Sequence, residues 1–581
     1  MTSRNTLNRV LYIDLSRKSF HIEERDDIFK EQLGGSGAAI ALLNELCPPD
    51  CDPLGPDNPI IFAVGPLTSL FPLASKTVAM FKSPHTGNLG ESHCGGRSAV
   101  SIRMAGYGAI VITGKSDFPV YLSLEDDKVL FRDATTLWGM GTNSTSGRII
   151  REREKGSGLR SIIRIGTAGE NLVTYASVTA ETFRHFGRLG LGAVFGSKML
   201  KGISITGKRS FPVGDMKGYR SLYDKIFRTA VDSELMKKYH ELGTAGNVLA
   251  LHRLKGLPTK NLLQAEFPEV DQVSGESFAK NYLGRRLACS HCPIGCIHIA
   301  ALREPYADEP YFYKTRMIGY DYELIFSLGT MLGGSDTDGV LRLMDAVEAV
   351  GLDAMSAGVV LAWATEAMEK GLISLDHTGG LTLAWNQYDN YIEAIKRIVS
   401  QPNDFFRALA KGVAHASSIY GGKEFALSFG KNEMPGYHTG PAAHIGYLVG
   451  ARHSHLDNGG YSIDQKAFKK ELPSPQELAE KIVAEESWRQ ILSSLVICFF
   501  ARNIYKVEIV EEALGLMGIS MSQDQIHDLG RRILRQKYDF KEREGFRLLE
   551  EPLPQRIFET PSTNGMIDPA YVKATIEAIR I

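Results

Sequence analysis

The chain has 581 residues, 43% of them hydrophobic and 23% charged, which suits a globular protein large enough for two to four domains. Its 66 Lys and Arg balance 67 Asp and Glu to a formal net charge of −1, which excludes a basic field for nucleic acid. The start has no apolar signal core, no apolar run approaches the roughly 18 residues that cross a bilayer, and seven cysteines are too few for a secreted disulfide framework. A cytoplasmic, reducing compartment is therefore expected.

The N-terminal region reads as β-rich. Residues 9–16 and 19–24 predict a hairpin turning at 16–18. Leu33-Gly-Gly-Ser-Gly-Ala-Ala-Ile40 then opens an apolar-periodic helix through Leu46. A glycine turn there can hold a phosphate or be a plain tight turn, and no preceding strand completes a dinucleotide fingerprint. Strands are predicted at 58–66, 76–83 and 107–114. Between the last two lies a small-residue loop ending His93-Cys94-Gly95-Gly96-Arg97, and a second Gly/Arg cluster runs from Arg184 and His185 through Gly187 and Arg188 to Lys198. Backbone N–H groups beside cations bind anions well. Two such loops suggest a large polyanionic cofactor, with glycine-crowded turns as the plain alternative.

From about Gly214 the pattern turns helical, over 216–238 and 247–255. Cys289-Ser-His-Cys292-Pro-Ile-Gly-Cys296 follows, then the apolar segment 318–329 with Glu323 inside it. A buried carboxylate is costly unless it is paired or functional. Helices are predicted at 336–349, 354–370, 385–401 and 405–420. The third region, from Ala426, carries His444 and the run Arg452-His453-Ser-His455-Leu-Asp457. These imidazoles are candidate proton donors or metal ligands, or else a polar surface loop. Helices resume at 475–495, 509–517 and 523–540, and a Pro-rich tail after Glu550 is expected to wrap the surface. The expected fold class is α+β. A β-rich domain would span 1–210, a helical domain with three cysteines 211–425, and a helical domain with Cys498 426–581.

The cysteine spacing C-x2-C-x3-C can wrap one metal site from a single turn, with Pro293 and Gly295 suiting the curl and Cys498 closing a fourth position. Four thiolates in this pattern fit a 4Fe–4S cluster, and less well a structural zinc.

Taken together, these stretches resemble the tungsten-dependent aldehyde:ferredoxin oxidoreductase family along most of the chain. The resemblance rests on Gly65-Pro-Leu-Thr68, Ala105–Gly114, Gly166-Thr-Ala-Gly-Glu-Asn-Leu-Val173, Gly187–Lys198, Gly256-Leu-Pro-Thr-Lys-Asn261, Val350-Gly-Leu-Asp-Ala-Met-Ser356 and the cysteine stretch itself. It implies two pyranopterin dithiolenes holding one tungsten, with a 4Fe–4S cluster alongside; the sequence does not choose between tungsten and molybdenum. By the same resemblance Lys76 stands where the family has an arginine between cluster and pterin. His93 and His185 would offer backbone carbonyls to a Mg2+ bridging the pterin phosphates, beside Cys94, Gly95, Gly96, Arg184, Gly187 and Arg188.

The family's pterin motif, Asp-x-x-Gly-Leu-Asp or Asp-x-x-Gly-Leu-Cys, appears first as Glu348-Ala-Val-Gly351-Leu352-Asp353. The second copy is Ser493-Ser-Leu-Val-Ile497-Cys498, without the leading carboxylate and the glycine. The resemblance implies cluster ligation by Cys289, Cys292, Cys296 and Cys498, and places Glu323 beside the tungsten. The family histidine falls out of register, leaving His455, preferred, and His453 as candidates. A Glu-x-x-His pair that bridges an iron between subunits in some members is replaced by Arg342 and Asp345, so a metal-bridged dimer is not supported, and the choice between homo- and hetero-oligomer stays open.

The implied activity is oxidation of an aldehyde to a carboxylic acid, or the reverse, with electrons passed to ferredoxin or an Fe–S partner subunit. The alternatives are low-potential reduction of an aromatic or other acyl-CoA, as in class II benzoyl-CoA reductases, and a non-catalytic Fe–S or zinc scaffold. Some members of that reductase branch give tungsten a cysteine ligand, and the spare cysteines here are Cys47, Cys51 and Cys94.

Overall fold

A computed structural model of the protein describes residues 6–156, 160–211, 213–468 and 470–581. Strands β1 (Arg9–Asp14), β2 (Ser19–Glu24), β3 (Ile60–Ala63), β4 (Thr77–Lys82), β5 (Leu89–Cys94) and β6 (Ala109–Thr113) form one sheet in the order β2-β1-β6-β3-β4-β5. A second sheet takes β7 (Val120–Glu125), β8 (Lys128–Asp133), β9 (Ser161–Arg164), β10 (Val178–Ala180), β11 (Arg184–Phe186) and β12 (Leu200–Thr206) in the order β11-β10-β9-β12-β7-β8. The first hairpin turns as expected, with Asp14 opposite Ser19. Strands β3 and β4 are buried at every residue, which is why they read as unbroken apolar runs. The outermost strands of the two sheets, β5 and β11, lie side by side. That contact brings the two Gly/Arg loops of the sequence together.

The glycine turn at 33–40 serves packing. It starts the helix Gly35–Leu46, and a side chain at Gly35 would run into the carbonyl of Ser493. The backbone of the segment leading to Cys498 thus lies against this helix start, in the place where a phosphate was considered.

The middle region contains a sheet that the helical reading missed. Strands β13 (Leu283–Leu287), β14 (Ile297–Pro305) and β15 (Tyr313–Tyr320) pair antiparallel on either side of the cysteine turn. Two predicted helices are also divided. The first breaks at extended Ser233 into Met216–Asp232 and Glu234–Leu242. The other breaks at Gly412, whose φ of +92° no helix accepts, into Asp404–Leu409 and Val413–Tyr420.

Two large apolar cores result. One unites the N-terminal sheets with residues between Ile491 and Phe546; the other joins the middle helices to Leu478–Ile482 and to Ile557–Ile579. The tail after Glu550 is therefore threaded into the second core, contrary to its surface reading. Its Arg556, 6% exposed, donates to both oxygens of buried Glu366 at 2.6 and 3.3 Å, and Thr560 donates to the carbonyl of Leu262 at 2.6 Å. Ile557, Ile567, Val572, Ile576 and Ile579 anchor the tail in that core, and the buried polar partners fix its course between them.

Removing one partner of a buried ion pair costs on the order of 3 kcal/mol, since the other charge is stranded. Arg556→Ala should therefore lower the apparent Tm clearly relative to the parent protein in an anaerobic melt. An unchanged Tm would contradict the account of the tail.

Candidate functional site

The cysteine site is assembled by one short segment preceding β4. Leu73 donates its N–H to the carbonyl of His291 at 3.0 Å and accepts from Cys498 N–H at 2.9 Å, and Lys76 N–H donates to Val496 at 3.1 Å. Ser290 N–H closes the other side on the Gly96 carbonyl at 2.9 Å. The turn between β13 and β14 curls through His291 and Gly295, whose φ values are +56° and +66°. A methyl group on Gly95 would stand 2.8 Å from Cys289 Sγ, 3.4 Å from Arg184 Nε and 3.5 Å from Lys76 Nζ. The glycine loop, two cations and a cysteine therefore meet at one point, and only glycine leaves room.

Burial pushes the Cys292 thiol up to about 12 and the Cys296 thiol up to about 11, and the other site sulfurs push both further. All four sulfurs thus lie within electrostatic reach of one another. Among the described residues no three His, Cys, Asp or Glu side chains converge on a single ion. Cys94 is fully buried beside this set, within electrostatic reach of Cys289, with its Sγ on the Gly95 carbonyl at 3.1 Å.

Beside this site is an internal hollow. His185 and Glu348 face each other at 3.8 Å with side chains 31% and 24% exposed. Yet burial is the largest influence on both, pushing His185 down to about 3 and Glu348 up to about 8. Groups deep in a protein that still show surface line an interior space. A side chain on Gly187 would meet nothing within 4 Å, in keeping with that space.

Arg188 spans the wall. Its Nε donates to Asp353 at 3.1 Å and its Nη2 to the Glu433 carbonyl at 2.7 Å, while buried Nη1 has no partner. Gly351, at φ +78°, ends the helix Thr337–Val350; Leu352 bridges Ala176, and Asp353 N–H donates to Tyr175 at 3.0 Å. The Asp353 carboxylate caps the helix Ala354–Glu369 and accepts from Ser356 at 2.6 Å, so the protein already satisfies it. Glu348 has no such donor. Ser493 and Ile497 are buried, 4% and 2% exposed.

A polar cluster that the sequence reading did not anticipate supports β5. Glu91, 2% exposed, accepts from Ser36 at 2.7 Å, His93 at 2.7 Å and Lys537 at 2.5 Å. Burial, then Arg452, pushes His93 down to about 4, so its ring is neutral and its Nε2–H points at Glu91. The available signal was a carboxylate in a strand otherwise buried along its length, matched by a lysine on the apolar stripe of the helix Gln523–Arg543.

Glu323 sits in the first turn of the helix Tyr322–Leu328, which Asp321 caps. Its Oε1 lies 3.2 Å from His455 Nε2, with the Tyr437 ring tilted against the imidazole at 5.1 Å between centroids. Burial, then Asp321, pushes Glu323 up to about 8; burial, then Arg188, pushes His455 down to about 3. The pair is uncharged at neutral pH. Among the described residues, Glu323 Oε2 and His455 Nδ1 are buried and meet no hydrogen-bond partner, while Tyr437 and the Gly436 backbone act on the Glu323 carboxyl to hold its pKa down in part. His453 is differently placed: its Nδ1 faces the Tyr447 carbonyl at 3.1 Å and its Nε2 faces Lys541 at 3.2 Å. Both of its ring nitrogens are engaged. Arg452 and Asp457, paired at 2.5 Å, hold this loop inside the protein, so it is not a surface loop.

A buried acid–base pair with two unpartnered atoms, a grouped set of thiols and an interior space lined by His185 and Glu348 fit a redox enzyme. Comparison with known proteins narrows it. Residues 10–207 match the model of the aldehyde ferredoxin oxidoreductase N-terminal domain, and residues 221–579 match that of its domains 2 and 3. The tungsten-containing aldehyde ferredoxin oxidoreductase of Thermococcus kodakarensis is 32% identical over 573 residues, covering 96% of this chain and 92% of that protein. An aliphatic sulfonate oxidoreductase, WOR-like subunit, of Pyrococcus furiosus is 29% identical, over 90% of this chain and 84% of its own. Among solved structures, the active-site complex BamBC of benzoyl coenzyme A reductase, in complex with 1,5-dienoyl-CoA, superposes with a TM-score of 0.83 at 22% identity, covering 98% of this chain and 93% of that one. The chain belongs to the aldehyde ferredoxin oxidoreductase family.

The site's protonation makes a signed prediction. Glu323 binds its proton more tightly folded than unfolded, so stability falls as pH rises from the ordinary 4.5 through about 8. His455 binds its proton less tightly folded, so stability falls as pH drops from 6.5 through about 3. Between 4.5 and 6.5 the two slopes cancel. Thermal melts of Glu323→Gln should lose part of the parent's decline between pH 6.5 and 8. Identical profiles would contradict the shifted carboxyl.

Proposed function

We propose that the protein is a tungsten bis-pterin oxidoreductase that converts an aldehyde to its carboxylic acid, or runs the reverse, and exchanges electrons through a 4Fe–4S cluster with ferredoxin or an Fe–S subunit. The observation that carries this reading is the Glu323–His455 contact, whose two unpartnered atoms are buried in a chain of this family. Cys289, Cys292, Cys296 and Cys498 would hold the cluster, and the raised thiol pKa values of Cys292 and Cys296 mean that iron must displace protons on binding there.

The hollow fits pterins in its chemistry. Glu348, without a donor of its own, would accept from pterin N–H groups, and Arg188 Nη1 and Arg184 Nε, both buried and unpartnered, would take acceptor or phosphate oxygens. The backbone carbonyls of His93 and His185, on neighbouring strands, would bind the Mg2+ between phosphates. The bound tungsten cofactor would supply the two-electron change at the substrate carbon.

The protein's own part is proton handling and positioning. Protonated Glu323 presents Oε2 to a substrate oxygen, and His455 exchanges a proton with Oε1 across 3.2 Å. Tyr322, Tyr437 and Tyr461 wall the pair from water. His453, already engaged, serves the loop rather than the substrate.

A second reading, low-potential reduction of an aromatic or other acyl-CoA, draws support from the displaced histidine register, which alters the pocket. Cys94 does not add to it, because its thiol is spent on a carbonyl of its own loop.

Viologen-coupled assays with aldehydes and, separately, aryl-CoA esters distinguish the two readings. Turnover with aldehydes alone supports the proposal; turnover with CoA esters alone would replace it. Glu323→Gln should retain metals and lose about 100-fold or more of the turnover. His455→Ala should lose turnover at parental stability, whereas His453→Ala should chiefly lower the Tm. The opposite assignment of losses would overturn the histidine roles.

A further inference from the structure

The reading above leaves a second pair of cysteines unused. Helix Gly35–Leu46 ends in the turn Cys47-Pro48-Pro49-Asp50-Cys51, and the sulfurs of Cys47 and Cys51 lie 3.4 Å apart, both as free thiols. That is van der Waals contact between sulfurs. Closing it to a disulfide of about 2.05 Å requires the two sulfurs to approach by a little over an ångström.

The turn is held for this approach from several directions. Cys47 N–H donates to Leu43 at 2.9 Å, Cys51 N–H points at the Pro48 carbonyl at 3.4 Å, and Asp50 takes a left-handed φ of +55°. Two consecutive prolines fix two further φ angles. Arg543, from the C-terminal helix, donates to the Cys47 carbonyl at 3.1 Å. Just beyond the turn, the ammonium of Lys198 donates to the carbonyls of Gly55, Pro56 and Gly114 at 3.4, 2.8 and 3.1 Å. It lies within electrostatic range of both sulfurs, and burial pushes the Cys47 thiol up to about 12, which keeps its proton on the inner sulfur until Cys51 has been attacked from outside.

The two thiols differ in access. Cys47 is 2% exposed, whereas Cys51 is partly exposed. Attack from solvent is therefore confined to Cys51, with Cys47 behind it as the resolving partner.

We propose that Cys47 and Cys51 form a reversible dithiol–disulfide pair, chemically separate from the four site cysteines, with oxidant entering at Cys51. With a low-molecular-weight disulfide as oxidant, the Cys51 thiolate attacks one of its sulfurs. A mixed disulfide forms and one thiol leaves. The Cys47 thiol then gives up its proton and attacks Cys51 Sγ, expelling the second small thiol. Two electrons pass from the protein dithiol to the oxidant, which ends as two thiols. A thiol reductant reverses both steps.

The test uses the anaerobically purified full chain equilibrated with oxidised and reduced glutathione in varied ratio. Free thiols are then trapped with an alkylating agent, and the peptide holding residues 47–51 is weighed. The expected result is a peptide two hydrogens lighter and unalkylated at oxidising ratios, returning to doubly alkylated on reduction, while the visible absorbance from iron stays constant. In Cys47→Ser the same oxidant should halt as a stable glutathione adduct on Cys51, and in Cys51→Ser Cys47 should remain alkylatable only after unfolding. A doubly alkylated peptide at every ratio would overturn the proposal. So would a glutathione adduct that persists on Cys51 in the parent chain, or a glutathione adduct on Cys47 in the folded Cys51→Ser variant.

Discussion

The backbone ladder around Leu73 and Lys76 is the constraint on which the site depends. Through three hydrogen bonds it ties the 289–296 turn to the 496–498 segment, parts of the chain about two hundred residues apart in sequence. Side-chain packing alone would allow slippage between them. Backbone pairing fixes register to a fraction of an ångström, which a site with thiols on both segments requires. Glycines at 35, 65 and 95 make this possible by letting the neighbouring backbone or Cys289 approach where any Cβ would collide.

Charge is treated in two ways around this centre. In the walls, buried acids and bases are paired, as with Glu91 and Lys537, Arg452 and Asp457, and Glu366 and Arg556. The first and last of these pairs join the N-terminal sheet and the tail to distant helices, and the Arg452–Asp457 pair closes the histidine loop on itself, so they act as registration devices as much as sources of stability. At the centre itself burial wins, and Glu323 and His455 meet without charge. A neutral acid beside a neutral base can pass a proton without building net charge in a low-dielectric space.

Much of the centre was legible in the sequence, because its residues break local patterns. Glu323 stands in an apolar run, three cysteines crowd eight positions, and glycines cluster beside Arg184 and Arg188. The resemblance to the family then related them, and the structure brings Glu323 together with His455 rather than His453. The sheet from β13 to β15 was not legible, since its strands are interrupted by the cysteine turn and only partly buried, with charged residues along their exposed stretches. Nor were the supports of the site. Glu91 with Lys537 and Arg556 with Glu366 join residues hundreds of positions apart, and no local period announces such partners.

The central claim is that the thiol set and the hollow together hold an iron–sulfur cluster and a metallopterin. Metal analysis with pterin detection on anaerobically purified protein tests it most directly. The account predicts about one tungsten, or molybdenum in its place, and about four irons per chain, with a pterin released on oxidative denaturation. Zinc as the sole metal, with no pterin, would contradict it.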